Sequence, residues 1–497
     1  MTDRLSPLDV AFLCLENAAP MHLGAVLVLG TPAPDGARAV AGVLADRASR
    51  VARLRQRVRS TWLPPGGAVW APAADFRAED HVRSHDLGGG DWQDLAALAG
   101  RLMGEPLDLT RPPWELHVIG GLDGRRSAVL AKLHHALCDG AGAVRLGLEL
   151  IDGGSDRPDQ HRTADTGTAG PAPQAAAATA AAWPQPVLRA AAAVVATAGG
   201  MLTDLPGRAR QARSAVGIGS SVLRNLRLPQ AASPLVGTGS AARRLVMLRL
   251  DAHDLRRIRE CHGGTTHDVL LAVLSGALRQ WLQALGQPVD DRPIRALIPV
   301  SQRARSAAGG GNRLSGYLCE LPVGEPDPVV RLHAVRAAMD RNKAAGPEAG
   351  PGAVALLADL VPPAAHRVLT PLAARHPSLL FNLVVTTVRL PPVALTLGGA
   401  AVQEIYPVVP LAPGHAIGVA FAHDRDAVHV GLHTDTGSAH DIDKLCDALQ
   451  SAVAELLVQQ PSALAAQARE GSRQGSVMPP GQASRSVSQP VSRAPAW

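Results

Sequence analysis

Two α/β units joined by a basic connector are what this sequence predicts, on three observations. The chain has 497 residues, too many for one ordinary core and enough for two domains of roughly 200 residues each. Strand-like and helix-period runs alternate in residues 1 to about 160 and again from about 241 to 460, the pattern of sheets flanked by helices. Between these stretches, residues 161–240 are rich in Ala, Pro, Gly and Ser, with Pro171, Pro173, Pro184 and Pro186 breaking up the start; this connector is expected to be partly helical. Hydrophobic residues make up 46% of the chain and aromatic residues only 3%, so Ala, Val and Leu must fill the interior.

In the first unit, residues 23–30 read as a strand. Residues 115–122 and 127–133 read as two more, joined by Asp123-Gly124, a pair suited to the positive φ of a tight hairpin turn. A helix is predicted over 141–151, where Val144, Leu146, Leu148 and Leu150 supply apolar positions. In the second unit, strands are predicted over 245–250, 294–300, 314–323, 379–388, 402–409, 416–422 and 427–433. Helices are predicted over 252–262, 265–285 and 439–458. Residues 461–497, rich in Ser, Gln, Ala and Pro, have the composition of a disordered tail.

The formal net charge is +6, and Lys132, Lys343 and Lys444 are the only lysines among 49 basic residues. An arginine excess suits phosphate oxygens, because the guanidinium forks onto two of them. Nucleic acid, an anionic membrane and coenzyme A all offer such oxygens, and a plain bias toward arginine competes with all three. No zinc-finger spacing and no aromatic RNA-binding pattern occurs, so no nucleic-acid partner is expected. Arg208, Arg210, Arg213, Arg224 and Arg227 lie in a stretch without acids. It could rest on an anionic bilayer, each arginine contributing at most about 1 kcal/mol, or be a solvated linker.

The Ala-rich run between Arg189 and Asp204 has 14 residues, short of the roughly 20 that span a bilayer. Asp3, Arg4, Asp9 and Glu16 interrupt the apolar residues of the first twenty, unlike a signal peptide. Five scattered cysteines (Cys14, Cys138, Cys261, Cys319, Cys446) with no CxxC indicate neither a disulfide framework nor a zinc knuckle. A reducing, cytoplasmic setting is expected, with peripheral contact to a membrane or lipid-droplet surface left open.

The chemistry concentrates in His134-His135-Ala136-Leu137-Cys138-Asp139-Gly140. At this chain's residue frequencies an HHxxxDG string should arise by chance only about 0.004 times. It falls between a predicted strand and a predicted helix, on a loop whose side chains can face a cleft. A histidine near its ordinary pKa can take a proton at neutral pH, which points to acyl transfer onto a hydroxyl or amine. There is no G-x-S-x-G nucleophile elbow, and Gly309-Gly310-Gly311 lacks the lysine of a phosphate loop.

These residues resemble the bacterial wax ester synthase/diacylglycerol acyltransferases, within the coenzyme A-dependent acyltransferase superfamily that includes chloramphenicol acetyltransferase and peptide-synthetase condensation domains. HHxxxDG alone marks the superfamily. The lipid-making branch is marked by Leu5-Ser6-Pro7-Leu8-Asp9, Pro20-Met21-His22-Leu23-Gly24, Pro106-Leu107-Asp108 and Arg111-Pro112-Pro113-Trp114-Glu115. It is marked further by Asp268-Val269-Leu270-Leu271-Ala272, Gly311-Asn312-Arg313 and Asn382-Leu383-Val384-Val385.

The resemblance implies two chloramphenicol-acetyltransferase-like domains, mixed sheets flanked by helices, with an active-site tunnel between them. It implies transfer of a fatty acyl group from acyl-CoA, a co-substrate and not a bound cofactor, to diacylglycerol or a long-chain alcohol. His135 would be the general base, His134 would position it or the substrate, and Asp139 would orient the loop. Gly140, Trp114, Asp268, Asn312 and Asn382 would bind substrate or support the motifs.

Each assignment has a plainer counterpart. His135 could be a buried strand-end histidine, Asp139 a helix cap and Trp114 ordinary packing. Cys138 sits in a variable slot of the motif, which argues against a thiol nucleophile. Adjacent histidines on an extended segment point apart, which argues against a metal site.

Three segments depart from the family pattern: Pro112-Pro113-Trp114, His267-Asp268, and Thr386 to Pro391. The last two replace polar groups near the expected tunnel and bear on acceptor choice and turnover. Another hydroxyl acceptor, or a weakly catalytic acyl-CoA- or lipid-binding protein, are the rival readings.

Overall fold

The structure, a computed structural model, describes residues 3–30, 36–62, 64–152, 233–290, 294–301, 314–346, 354–359, 361–374, 379–438 and 441–458. Most of the connector with its five arginines, the tail from 461 and Asn312 lie outside them. The chain begins with β1 (Asp3–Arg4), α1 (Pro7–Leu15), β2 (His22–Leu29) and α2 (Gly36–Arg50). The hairpin β3 (Gln56–Ser60) and β4 (Ala68–Pro72) follows, then β5 (Val82–Asp86) and α3 (Trp92–Gly104). Strands β6 (Trp114–Leu122) and β7 (Arg126–His134) lead into α4 (Gly140–Leu150).

The second half starts with β8 (Arg243–Asp251), α5 (Ala252–His262) and α6 (Thr266–Ala284). Next come β9 (Ile294–Ser301), β10 (Leu314–Leu321), α7 (Pro328–Ala345), α8 (Val354–Ala358) and α9 (Pro363–Ala373). Strands β11 (Leu383–Arg389), β12 (Thr396–Leu397), β13 (Ala400–Val408), β14 (Ile417–His423) and β15 (Ala427–Asp435) precede α10 (Ile442–Val458).

Among the described residues these strands form two six-stranded sheets, ordered β12-β13-β2-β7-β6-β5 and β10-β9-β11-β14-β15-β8, and a small sheet β1-β4-β3. Both large sheets are mixed: β5 runs parallel to β6, β11 runs parallel to β9 and β14, and the other pairs are antiparallel. Strand β13 comes from the second half of the chain but pairs with β2 in the first sheet, so the two halves share a strand.

Local chemistry sets the element ends. Ser6, Asp91 and Thr265 cap α1, α3 and α6, each closing a reciprocal box with an aspartate three residues on: Asp9, Asp94 and Asp268. Such a cap stabilises a helix by about 1 kcal/mol. The hairpin between β6 and β7 turns at Asp123 and Gly124, with φ of 49° and 70°, as the Asp-Gly pair predicts.

The halves are welded by apolar packing at very short range. One buried cluster combines Val26, Leu98 and Leu130 of the first half with Leu245, Met247 and Tyr406 of the second. Where β15 passes β13, a Cβ on Gly431 would lie 1.9 Å from the Pro407 carbonyl oxygen. No side chain fits between those backbones. Gly431→Ala is therefore expected to destabilise the protein by roughly 1–3 kcal/mol. Gly42→Ala is expected to stabilise it by up to about 1 kcal/mol, because its added Cβ on exposed α2 meets no atom within 4 Å. Chemical denaturation of both variants checks the contrast.

Candidate active site

Strand β7 ends on the histidine pair, and the alternation of an extended chain sends neighbouring side chains to opposite faces. Ala131, Leu133 and His135 face a cavity of about 430 Å³ between the two large sheets. Lys132 and His134 face the other way and are fully buried. The cavity is within the usual size range of small-ligand sites. Its wall combines Leu23, Ala25 and Leu27 of β2, Val144, Gly147 and Leu148 of α4, and Leu297 and Pro299 of β9. Val384, Thr386 and Val388 of β11 and Ala420 and Ala422 of β14 complete the opposite side.

Among the described residues of that wall, the polar side chains beside His135 are Ser315 and Thr386. Its described lining is mainly hydrocarbon, with one titratable group.

Backbone contacts hold the pair in place. The His134 N–H donates to the Pro113 carbonyl at 3.0 Å and the His135 N–H to the Met21 carbonyl at 2.8 Å. The segments around Pro113 and Met21 thus clamp the motif from two sides. Phe12 of α1 stacks on the His135 ring, with centroids 4.1 Å apart and planes 21° from parallel, which fixes the imidazole plane against the cavity. Desolvation by this apolar surround pushes the His135 pKa down to about 4. The ring is neutral at pH 7, the form that accepts a proton.

His134 does different work. Its Nδ1 accepts from the Ala136 N–H at 3.0 Å, so the proton of the neutral ring sits on Nε2. That atom lies 3.2 Å from Oε2 of Glu16. The other Glu16 oxygen lies 2.9 Å from Nε2 of His22, and the Met21 N–H donates to Glu16 at 2.7 Å. Burial alone would raise the Glu16 pKa, but the two imidazoles outweigh it and hold the carboxyl well below the usual range. Burial lowers the pKa of His22. A buried carboxylate thus sits between two imidazoles behind His135, hydrogen-bonded to His22 and in close contact with His134.

Sequence reasoning missed Glu16 and Phe12. Glu16 gave only a charge in an apolar run, although His22 is opposite His134 in the β2–β7 register.

The remaining predicted residues divide between the cavity and the structure around it. Asp139 is buried and caps α4, accepting from the Gly142 N–H at 2.7 Å. Gly140 lines the cavity, and a Cβ there would meet no protein atom within 4 Å. Trp114 is outside the wall: its Nε1 donates to the Leu54 carbonyl at 2.8 Å and its ring stacks on His81. It packs the core behind the clamp and makes no cavity contact. Asp268 caps α6, and it too is absent from the cavity wall.

Asn382 ties β11 to β9, its Oδ1 accepting from the Arg295 N–H and its N–H donating to the Arg295 carbonyl, both at 2.8 Å. The two unusual segments meet: His267 Nδ1 is 3.0 Å from the Thr387 hydroxyl, while Thr386, Val388, Leu390 and Pro391 line the cavity. Among the described residues no cluster of three or more His, Cys, Asp or Glu could hold a metal.

Comparison with known proteins agrees in sequence and in fold. Residues 5–270 match the family model of the wax ester synthase/diacylglycerol acyltransferase catalytic domain, and residues 310–457 match the C-terminal domain of the same family. A Mycobacterium tuberculosis protein named "Probable diacylglycerol O-acyltransferase" is 30% identical over 463 residues, covering 92% of this chain and 96% of that protein. The wax ester synthase/diacylglycerol acyltransferase from Marinobacter aquaeolei VT8 superposes with a TM-score of 0.65 at 25% identity, covering 91% of this chain and 98% of that one. The first condensation domain of the CDA synthetase shares the fold, with a TM-score of 0.56 at 15% identity over 93% of this chain and 97% of that one.

The buried imidazoles set an acid limit on stability. His135 and His433 have pKa values pushed down to about 4, and burial also lowers those of His22 and His415. Between pH 6.5 and 4 the unfolded chain therefore binds more protons than the folded one, so stability falls as pH falls. The melting temperature is expected to drop by roughly 5 °C or more from pH 7 to pH 5. A thermal scan across that range checks it.

Proposed function

The chain belongs to the wax ester synthase/diacylglycerol acyltransferase family and is an acyltransferase, and from that premise we propose that it esterifies a lipid alcohol at His135. The donor is a fatty acyl-CoA and the preferred acceptor is the free hydroxyl of diacylglycerol, with long-chain alcohols as further acceptors. The observation that carries this reading is a neutral imidazole facing a cavity between the sheets whose described lining is otherwise apolar but for Ser315 and Thr386.

Neutral His135 accepts the proton of the acceptor hydroxyl while its oxygen attacks the thioester carbonyl. The tetrahedral intermediate collapses, expelling the coenzyme A thiolate, and the imidazolium returns its proton to that sulfur. Atoms and charges balance with no acyl-enzyme. General-base action contributes a factor of roughly 10²–10⁴, so positioning and oxyanion stabilisation supply the rest. Ser315 and Thr386, in the opposite wall, are the side-chain donors this cavity offers to the oxyanion. A low-dielectric surround favours holding the ring neutral and keeps water from competing for the acyl group.

His134 acts on the base and not on the substrate. Glu16 and His22 fix its ring, and the adjoining backbone then presents His135 to the cavity. Glu16 is thus a positioning residue.

Turnover of palmitoyl-CoA with dioleoylglycerol, and separately with hexadecanol, tests the reading. His135→Ala is expected to lower kcat by about 10²–10⁴ with acyl-CoA binding retained. Glu16→Gln is expected to lower kcat while leaving KM close to the wild-type value. Acyl-CoA binding without neutral-lipid product in the unaltered protein would instead favour a binding role.

A further inference from the structure

The three-stranded sheet carries an exposed feature that the catalytic site does not use. Strand β3 is at its edge, and Arg57 and Arg59, two residues apart, share one face there, with Arg55 just before. All three arginines are exposed. The hairpin they lead into presents Trp62, which is 83% exposed. Its far side packs on α9: the Arg367 Nε donates to the Gly66 carbonyl at 3.1 Å, and a Cβ on Gly66 would be 2.7 Å from the Ala364 Cα.

Ala364, Arg367, Val368 and Leu372 recur at helical spacing along one side of α9. The stripe that touches the hairpin therefore continues into Val368 and Leu372, 62% and 45% exposed. Arginine charge and a protruding indole on the hairpin thus adjoin an open apolar stripe on the helix that the hairpin touches at Gly66.

An edge strand is often charged to stop it pairing with another sheet. That accounts for the arginines but not for Trp62 or the bare side of α9. Charge selects the occupant. No Asp or Glu occurs from Arg53 to Ala74, nor from Leu360 to Gln403. Asp3 is engaged by Arg53 at 2.5 Å and Asp80 by Arg111 at 2.9 Å, while Arg57 also donates to the Thr110 carbonyl at 3.3 Å. Guanidinium groups beside an indole and aliphatic side chains fit lipid phosphates at the boundary of headgroup and acyl chain, where tryptophan partitions. Helix α1 connects this surface to the chemistry, since it packs against α9 and lines the cavity with Leu8, Phe12 and Leu15.

We propose that the β3–β4 hairpin and the exposed side of α9 form the face on which this enzyme rests on an anionic lipid surface, with Trp62 inserted at the interface. The proposal rests on the lipid-acceptor reading of the cavity, one helix away, and gives that reading a direction of supply.

Co-sedimentation with vesicles of phosphatidylcholine, with and without phosphatidylglycerol, tests it on the full chain. The wild type is expected to sediment with the anionic vesicles and far less with the neutral ones. Arg57→Glu with Arg59→Glu, and separately Trp62→Ser with Val368→Ser, are each expected to weaken anionic-vesicle binding at least tenfold. Both double variants should still turn over a water-soluble short-chain acyl-CoA and alcohol. That reaction needs no surface, so its absence in the wild type would count against the catalytic reading alone.

As a milder probe, brominated lipid should quench tryptophan fluorescence in the wild type and much less in Trp62→Phe. Unchanged vesicle binding in both double variants, or equal quenching in the wild type and Trp62→Phe, would overturn the proposal.

Discussion

The opposite facing of two adjacent side chains at the end of β7 is the constraint on which the site depends. Strand geometry allows His134 and His135 no common target. One ring goes into a sealed polar nest with Glu16 and His22, and the other into an apolar cavity. Buried charge on the first side is tolerable because the carboxylate is hydrogen-bonded, in keeping with the high cost of an unpaired buried ion. Loss of water on the second side keeps the imidazole neutral. A single strand terminus therefore separates the imidazole proposed as the base from the groups that hold its neighbour.

The fold supplies what a strand end lacks by itself, a second wall. Sheet one leads to His135, and sheet two provides β9, β11 and β14 to close the cavity opposite it. The exchange of β13 into the first sheet and the backbone contact at Gly431 keep that spacing fixed. A pocket built between two halves in this way can vary its lining without disturbing the core. The Thr386 to Pro391 segment illustrates this, because its cavity-facing members alternate with Thr387, which turns outward to His267. His267 and the Thr386 to Pro391 segment thus form one local arrangement.

Much of this was legible in the residues. The strands at β2, β6, β7 and β14 and the helices α4, α5 and α6 stand within two residues of their expected bounds, because period-2 and period-3.6 patterns are strong when one face is buried. The expected strand over 379–388 begins later, at Leu383. Helices α1, α2, α3, α7 and α9 lie outside the expected elements, although α3 buries Leu95, Leu98, Ala99 and Leu102 at helical spacing. Helix α1 reads Pro-Leu-Asp-Val-Ala-Phe-Leu-Cys-Leu, apolar on nearly every side, since it is enclosed by the cavity on one side and α9 on another. Helix α7 is studded with arginine and buries a narrow stripe at Leu332, Val335 and Met339.

At the site, His135, Gly140 and the capping role of Asp139 follow from the motif and its loop. Glu16 does not, because its partners are six residues and over a hundred residues away and only strand pairing joins them. The pairing of β13 with β2 is likewise a matter of topology, which no local pattern encodes.

The central claim is that a neutral, desolvated His135 removes the acceptor proton. The pH dependence of kcat/KM for acyl transfer in the free enzyme addresses it most directly. An acid limb well below the ordinary histidine value of about 6.5, near 4 and absent from the residual activity of His135→Ala, is the predicted result. A limb at the ordinary histidine value, or one that persists unchanged when the imidazole is removed, would contradict it.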